Sequence, residues 1–344
     1  MYEDIFSFTE LYYAYCRARK LRRQKRCVVR YEQHLEYNLG YLSYVLRTRT
    51  YRHGAYREFI VRDSKKRLIR AAPFCDRIVH HALCKHIEPL FEKRFIFDSY
   101  VCRKNKGTHR AIRRLKKFMY GVSNGYTRQA YFLKLDISKY FQSIDHEKLY
   151  ALVSHVITDA EMLRLLRIII ESSYDTVSDG KKKGIPIGNL TSQLFANIYL
   201  NELDHYAKER LYCRYYIRYM DDIVVCAESK EWLHQIRSSL ELFLKEQLLL
   251  IVHPRKVFIA PIDSGVPFLG YVFYPHVTHL RTSTVKRCVR RIKKYCILLP
   301  KNKIEYKKVL TSRASWYGYS KHAHAWRMSK KIWEKIYNFK KRDD

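Results

Sequence analysis

At 344 residues, with 47% hydrophobic and 15% aromatic content, the chain can bury a substantial core and is not a disordered polymer. Its 67 Lys+Arg against 33 Asp+Glu give a formal net charge of +34, which implies a polyanionic partner held through phosphate contacts. Thirty tyrosines argue against a simple ribosomal or chromatin-type binder, because they add apolar faces and base-stacking surface, while nine scattered cysteines without a CxxC pair exclude a disulfide framework and a zinc ribbon. The acidic opening Met1 to Asp4 carries no basic segment followed by an apolar core, and no run reaches the roughly 18 apolar residues that span a bilayer. A soluble, unexported, cytoplasmic protein is expected.

Residues 1 to 50 read as two helices, the first opened by the Ser7 to Glu10 capping-box spacing and closed in the basic run Arg17 to Arg26, whose end is expected to face nucleic acid. Residues 56 to 70 alternate around an Asp63-Ser64 turn, which predicts a basic β-hairpin, and 76 to 93 read as a helix with Ile78, Leu83, Ile87 and Leu90 inward. His80, His81, Cys84 and His86 on that helix read as packing rather than a metal site. A loop with Arg103, Lys104 and Lys106 leads to a basic helix over about 108 to 119.

The strand Tyr131 to Leu135, helical segments near 146 to 172, and a helix near 191 to 209 behind Gly184 to Gly188 point to α/β or α+β layering. Two strands then flank the turn Met220-Asp221-Asp222, followed by a helix from about 229 to 247 and short strands around Val257 and Phe268. From residue 281 onward the chain holds 20 Lys+Arg and 4 Asp+Glu and reads as mostly helix, a second basic module. There is no internal repeat or low-complexity linker.

An Asp-Asp turn by itself is usually a solvated loop. Here Asp221 and Asp222 lie between two apolar strands, and a third carboxylate, Asp136, ends the apolar strand YFLKL. Three acidic groups on two adjoining strands could hold two Mg²⁺ ions about 3.5–4 Å apart, suited to phosphoryl transfer by positioning and charge neutralisation. The competing reading of Asp136 is a simple turn cap.

LDISKYFQSIDH (135–146), GIPIGNLTSQLFANIYL (184–200), RYMDDIVV (218–225) and FLGY (268–271), in that order, resemble the palm motifs of reverse transcriptases. The resemblance spans roughly residues 56 to 340 and implies an α+β right-hand polymerase fold: an N-terminal helical extension over 1–55, fingers and palm over 56–275, and a basic helical thumb over 276–344. It implies RNA-directed DNA polymerase activity, with Mg²⁺ (two ions, or Mn²⁺) held by Asp136, Asp221, Asp222 and the Ile137 carbonyl. Lys66, Arg67 and Arg70 match cations that meet the incoming triphosphate, with a solvated basic hairpin as the alternative. Phe141 matches the bulky residue that blocks a ribose 2′-hydroxyl, with core packing as the alternative. Lys256 matches a basic residue that protonates the leaving pyrophosphate. Ile187, Gly188 and Gln193 fall at the nucleotide, while Arg103, Lys104, Lys106, Tyr219, Met220 and Gly270 are expected at the nucleic acid.

Most bacterial relatives carry Gln before the second glycine of GIPIGNLTSQ and Ser-Pro at its end. Ile187 and Gln193 depart from that pattern and resemble the reverse transcriptases of diversity-generating retroelements, as do IRAAPFCDRIVHHAL and SRASWYGYSKHAHAWRM. That resemblance implies mutagenic cDNA synthesis from a template-repeat RNA. The partners it implies are template RNA, cDNA, dNTPs and a small basic accessory variability protein that forms a helical ring. Ile187 offers no hydrogen bond where a Gln amide would, which weakens discrimination between correct and incorrect pairs; neutral drift is the alternative. No RNase H-type acidic cluster, Cys-rich endonuclease tail or integrase-like segment is read. The competing functions are a retron-like or defence-associated reverse transcriptase and a catalytically silent RNA-binding protein of the same fold.

Overall fold

The computed structural model describes residues 2–62, 66–176, 180 and 182–340. The N-terminal 50 residues form four helices rather than two: α1 (Tyr2–Ile5), α2 (Phe8–Arg19), α3 (Arg26–Glu32) and α4 (Leu35–Arg47). Ser7 caps α2 by accepting from the Glu10 amide, as its spacing predicts. The basic run leaves the helix at Lys20, where like charges three and four apart repel, and it turns repeatedly, with Leu21 at φ +63°.

The basic hairpin forms as β1 (Arg57–Arg62) and β2 (Lys66–Ala71), antiparallel with Arg57 opposite Ala71; its Asp63-Ser64 turn lies outside the described residues. Next come α5 (Phe74–Glu92), α6 (Thr108–Val122), β3 (Tyr131–Asp136), α7 (Tyr140–Ser143), α8 (His146–Ser154) and α9 (Ala160–Glu171). The short strands β4 (Asp175–Thr176) and β5 (Lys182–Lys183) precede α10 (Leu190–His205), which runs on into a π-helical turn, Tyr206–Arg210. The acidic hairpin is β6 (Tyr215–Tyr219) and β7 (Asp222–Ala227), followed by α11 (Lys230–Glu246) and β8 (Phe258–Pro261). The chain ends in β9 (Val266–Phe268), β10 (Tyr271–Phe273), β11 (Thr278–Leu280), α12 (Thr282–Leu298), α13 (Tyr306–Ser320) and α14 (Trp326–Lys340). This is a mixed helix and strand architecture with antiparallel sheets, including a four-stranded sheet of order β6-β7-β3-β8.

The chain divides into two compact units, each discontinuous in sequence. The first comprises Met1–Gly107, Lys134–Val224 and His234–Phe258. Its helical core packs α2 on α5 and α4, and α10 on α5 and α8, burying Leu11, Tyr15, Leu39, Ile78, Leu83, Leu200 and Leu203 completely or nearly so. The second comprises Thr108–Leu133, Val225–Leu233 and Ile259–Asp344. There α14 packs on α12 and α13, and the three-stranded sheet β11-β10-β9 buries Phe268, Tyr271 and Phe273. Leu269 and Gly270 both take positive φ in the tight β9–β10 turn, and a Cβ at Gly270 would collide with the Tyr319 hydroxyl, so turn geometry and packing both demand glycine there.

His80 on α5 is 1% exposed, with neither ring nitrogen hydrogen-bonded. Burial, then the charges of His53, His81 and Arg77, hold its pKa down at about 3 against an ordinary 6.5. The unfolded chain therefore takes up a proton as pH falls through 6.5 while the folded chain does not, so stability is lost between 6.5 and about 3. Urea midpoints in phosphate-free buffer are expected to fall from pH 7 to pH 5, with His80 contributing about 2 kcal/mol of the loss. His80→Leu should remove that share; an unchanged pH dependence in the variant would reject the assignment.

Candidate active site

Asp136 closes β3, and β3 lies beside β7, whose first residue is Asp222. Tyr219 and Asp222 terminate the flanking strands, leaving Met220 and Asp221 as a two-residue hairpin loop with Met220 at φ +59°. Glycine is usual at such a position, so Met220 carries about 1 kcal/mol of backbone strain. Asp136, 85 residues before Asp221 in sequence, is thereby brought within electrostatic reach of the Asp221-Asp222 pair. Burial, then the charges of Asp136 and Asp222, push Asp221 up to about 6, with Lys256 acting in the opposite direction. Burial also raises Asp222, against the pull of Lys134.

Two lysines hold the carboxylates. The Lys256 Nζ donates to Asp136 Oδ2, and the Lys134 Nζ donates to Asp222 Oδ1. Lys134 and Asp136 share a face of β3 by the two-residue strand period, and a lysine inside an otherwise apolar strand was the available signal for this role. A set of three hard oxygen donors, with like charges close enough to raise one another's proton affinity, fits a divalent cation better than any soft metal. Among the described residues, however, no three His, Cys, Asp or Glu side chains converge into a finished metal cage.

Beneath the hairpin lies a buried network that sequence reasoning missed. Arg218 is fully buried and donates through Nε and Nη2 to Asp204 of α10, at 2.7 and 2.6 Å. Its other contacts are the Met220 carbonyl at 3.2 Å, Asn197 Oδ1 at 3.3 Å and Ser99 Oγ at 3.2 Å. Tyr216, on the same face of β6, adds its hydroxyl to Asp204 at 2.7 Å. The guanidinium thus ties the turn carrying Asp221 to α10 and to the segment at Ser99, whose Tyr100 amide and Asp98 carbonyl bond the Arg218 backbone.

The remaining expected residues scatter in role. Ile137 is buried opposite Val252, with the flanking bonds made by Ser138 N to Ile251 O and His253 N to Asp136 O. Phe141 is half-buried on α7, its ring 5.7 Å from that of Tyr140, and its carbonyl accepts from Ile185 N at 2.8 Å, which sets GIPIG beside it. Ile187 is half-buried. Gly188, at φ +114°, and Gln193 line a cavity of about 280 Å³. Arg67 is exposed on β2, whereas Arg70 bonds Glu58 at 2.8 Å and Ser173 at 3.2 Å. The Lys66 side chain falls outside the described residues.

Arg103, expected at the nucleic acid, has its donors engaged within the chain. Its guanidinium grips both Glu92 oxygens and the Ile96 and Ser99 carbonyls, with a side chain only 5% exposed, so it anchors the loop rather than a ligand. Lys106 likewise donates to Phe97 O at 2.7 Å and lies 3.4 Å from the Phe97 ring centroid. Lys104 is exposed, Tyr219 is half-buried, and Gly270 belongs to the second unit.

A family model described as reverse transcriptase (RNA-dependent DNA polymerase) matches residues 61–273, well over half of the chain and all of these carboxylates. The chain belongs to the reverse transcriptase family. Protein YkfC of Escherichia coli (strain K12) is 29% identical over 230 residues, covering 57% of this chain and 60% of that protein. The group II intron-encoded protein LtrA of Lactococcus lactis subsp. cremoris is 23% identical over 297 residues, covering 67% and 48%. This reverse transcriptase chain thus spans about half to three fifths of the length of these two curated relatives. Among solved structures, telomerases from Candida albicans and Candida tropicalis, each in complex with a TWJ fragment of telomeric RNA, superpose with TM-scores of 0.51 and 0.52 at 11% and 10% identity. They cover 77% of this chain each, and 55% and 52% of the telomerase chains, and establish a shared fold. Among the described residues, no helix is long and apolar enough to cross a membrane.

Proposed function

We propose that this chain is an RNA-directed DNA polymerase in which Asp136, Asp221 and Asp222 hold Mg²⁺ or Mn²⁺ and line the reaction centre. The observation that carries the reading is the electrostatic coupling of these three carboxylates, from two distant motifs, in a member of the reverse transcriptase family. Bound divalent ions would activate a primer 3′-hydroxyl and neutralise the triphosphate. The chain's own part is positioning. Arg218 holds the β6–β7 turn through the Met220 carbonyl, Lys134 and Lys256 pair with Asp222 and Asp136, Arg67 would offer a guanidinium to phosphate, and Lys256 would give a proton to the leaving group. In this reading 1–55 is an N-terminal extension, 56–275 the fingers and palm, and 276–344 a basic thumb.

Within that activity, the chain makes mutagenic cDNA from the template-repeat RNA of a diversity-generating retroelement, with a ring-forming basic accessory protein as partner. Support comes from Ile187 and Gln193 in GIPIGNLTSQ, and from the flanking segments that share that pattern. The similarity to a group II intron-encoded protein favours the competing reading, a group II intron-like or retron-like enzyme. Primer extension on a defined RNA template with Mg²⁺ and dNTPs, followed by sequencing of the product, tests both levels. Errors concentrated opposite template adenine support the mutagenic role, and accurate or evenly erroneous cDNA supports the competing one. Failure to extend, even with cognate RNA and accessory protein supplied, would reject polymerase activity.

The same assay tests Phe141. Phe141→Ala should raise ribonucleotide incorporation relative to deoxynucleotide by about 10- to 100-fold, because the ring no longer fills the space a 2′-hydroxyl needs. Unchanged sugar discrimination would return Phe141 to a packing role.

A further inference from the structure

A cavity of about 680 Å³ lies in the first unit between the C-terminal half of α11, the segment 249–257 and Lys183 of β5. Arg237, Glu241 and Lys245 line it at four-residue intervals, one stripe of α11 in which about 12 Å of helix separates the two cations. Arg237 Nε donates to Glu241 at 2.8 Å, while Lys183 and Lys245 make no ion pair among the described residues. The rest of the wall is aliphatic and includes Leu249, Ile251 and Val257.

Two of these aliphatic side chains face water. Leu249 is 44% exposed and Ile251 71% exposed. Leu249 also stands at φ +53°, where the Leu250 amide closes the end of α11 on the Leu244 carbonyl at 2.8 Å, a helix stop that usually has glycine in the left-handed place. A strained, exposed leucine and an exposed isoleucine on the rim of an aliphatic hollow mark a contact surface. The same segment bonds the end of β3. The Ile251 carbonyl accepts from Ser138 N, His253 N donates to the Asp136 carbonyl, and Lys256 Nζ donates to Asp136 Oδ2.

We infer that this cavity docks an acidic, aliphatic helical segment of a partner protein, and that docking is felt at Asp136 through residues 251 to 256. An aliphatic side chain of the partner fills the hollow against Leu249, Ile251 and Val257, and carboxylates about two turns apart meet Arg237 and Lys245, with Lys183 as a third cation. A polynucleotide fits less well. Among the described residues no aromatic ring lines the cavity for a base to stack on, and a carboxylate, Glu241, stands among its cations. A second copy of this chain, at +34, and the basic accessory protein proposed above both bring like charge. The effect on Asp136 rests on the polymerase reading; the docking does not.

The test uses the full chain and a fluorescein-labelled helical peptide of about four turns, with a central leucine and glutamates about two turns apart. In two companion peptides serine replaces the leucine, or lysines replace the glutamates. By fluorescence anisotropy at about 0.15 M salt, the acidic leucine peptide is expected to bind at least about tenfold more tightly than either companion. Lys245→Glu and Leu249→Gly should each weaken it by about tenfold, while Lys330→Glu, exposed in the second unit, leaves it unchanged. Glycine suits the left-handed place, so Leu249→Gly keeps the fold and the variant series does not depend on a damaged protein. Equal binding of the serine companion, or binding unchanged in both site variants, overturns the site as adsorption to a basic surface. Displacement of the peptide by an oligothymidylate whose own affinity falls in the same two variants reassigns the cavity to nucleic acid and overturns the protein partner. A concentration-dependent dimer in sedimentation equilibrium, abolished by Leu249→Gly, reassigns it to a second copy with the same result. Saturating peptide should raise wild-type primer extension by about threefold or more, by holding the segment that carries Lys256, and leave Leu249→Gly at its basal rate. In a chain that extends primer, bound peptide without that change overturns the link to Asp136. Because binding is read without primer, a chain that binds the peptide and extends no primer rejects the polymerase reading alone.

Discussion

Asp221→Asn is expected to reduce primer extension by about a thousandfold or more, equivalent to about 4 kcal/mol of transition-state stabilisation, while changing strand affinity less than about twofold. The substitution keeps the shape and removes one negative charge from a group that Asp136 and Asp222 already oppose. Asp221 is pushed up to about 6 in the folded chain, above its ordinary 3.8, so its ionised form is disfavoured by folding at neutral pH. The same variant should therefore be more stable, by about 1–2 kcal/mol in urea with chelator present, after allowance for partial solvent exposure. An inactive but stabilised protein is the signature of a carboxylate held in an unfavourable place for its chemistry. Asp136→Asn should be equally inactive, and Asp263→Asn, exposed in the second unit, serves as the unaffected control. Activity retained in both site variants would remove the metal-ligand assignment.

Arg218→Met is expected to cost about 3–5 kcal/mol of stability, because it strands the Asp204 carboxylate at 0% exposure with, among the described residues, only the Tyr216 hydroxyl donating to it. Removing both charges is gentler. An Arg218→Met, Asp204→Leu double variant should recover most of that stability, since an apolar pair of similar volume has no desolvation penalty to offset. Activity should not recover with it, because the Arg218 donor to the Met220 carbonyl at the strained turn is gone. Urea unfolding of the two variants and the wild type, paired with primer extension, separates these effects. A loss below about 1 kcal/mol in the single variant would show that the buried pair is not what supports the hairpin.

Much of this molecule was legible in one dimension. Ser7 before Glu10 predicted the start of α2, the alternation over 56 to 70 predicted β1 and β2, and the apolar strands around Met220-Asp221-Asp222 predicted β6 and β7. These features rest on local rules of capping, strand period and turn chemistry, which act within a few residues. The splitting of the N-terminal helices was missed because it depends on repulsion within the basic run and on turns at Leu21 and His34 that carry no glycine or proline.

By itself, then, the sequence determined the family and the order of the motifs, and it singled out the three carboxylates proposed as ligands, because residue types at fixed spacing survive without coordinates. Only the tertiary structure decided which cations those carboxylates meet and what each basic residue does. Lys134 answers Asp222 across 88 residues and Lys256 answers Asp136 across 120, while Arg103 turns inward to Glu92 and Arg218 disappears beneath the turn it holds. In a chain with 67 Lys and Arg, charge alone cannot say which ones face a ligand. Burial and the position of a carboxylate or carbonyl partner decide that, and both are set by long-range packing that sequence spacing does not encode.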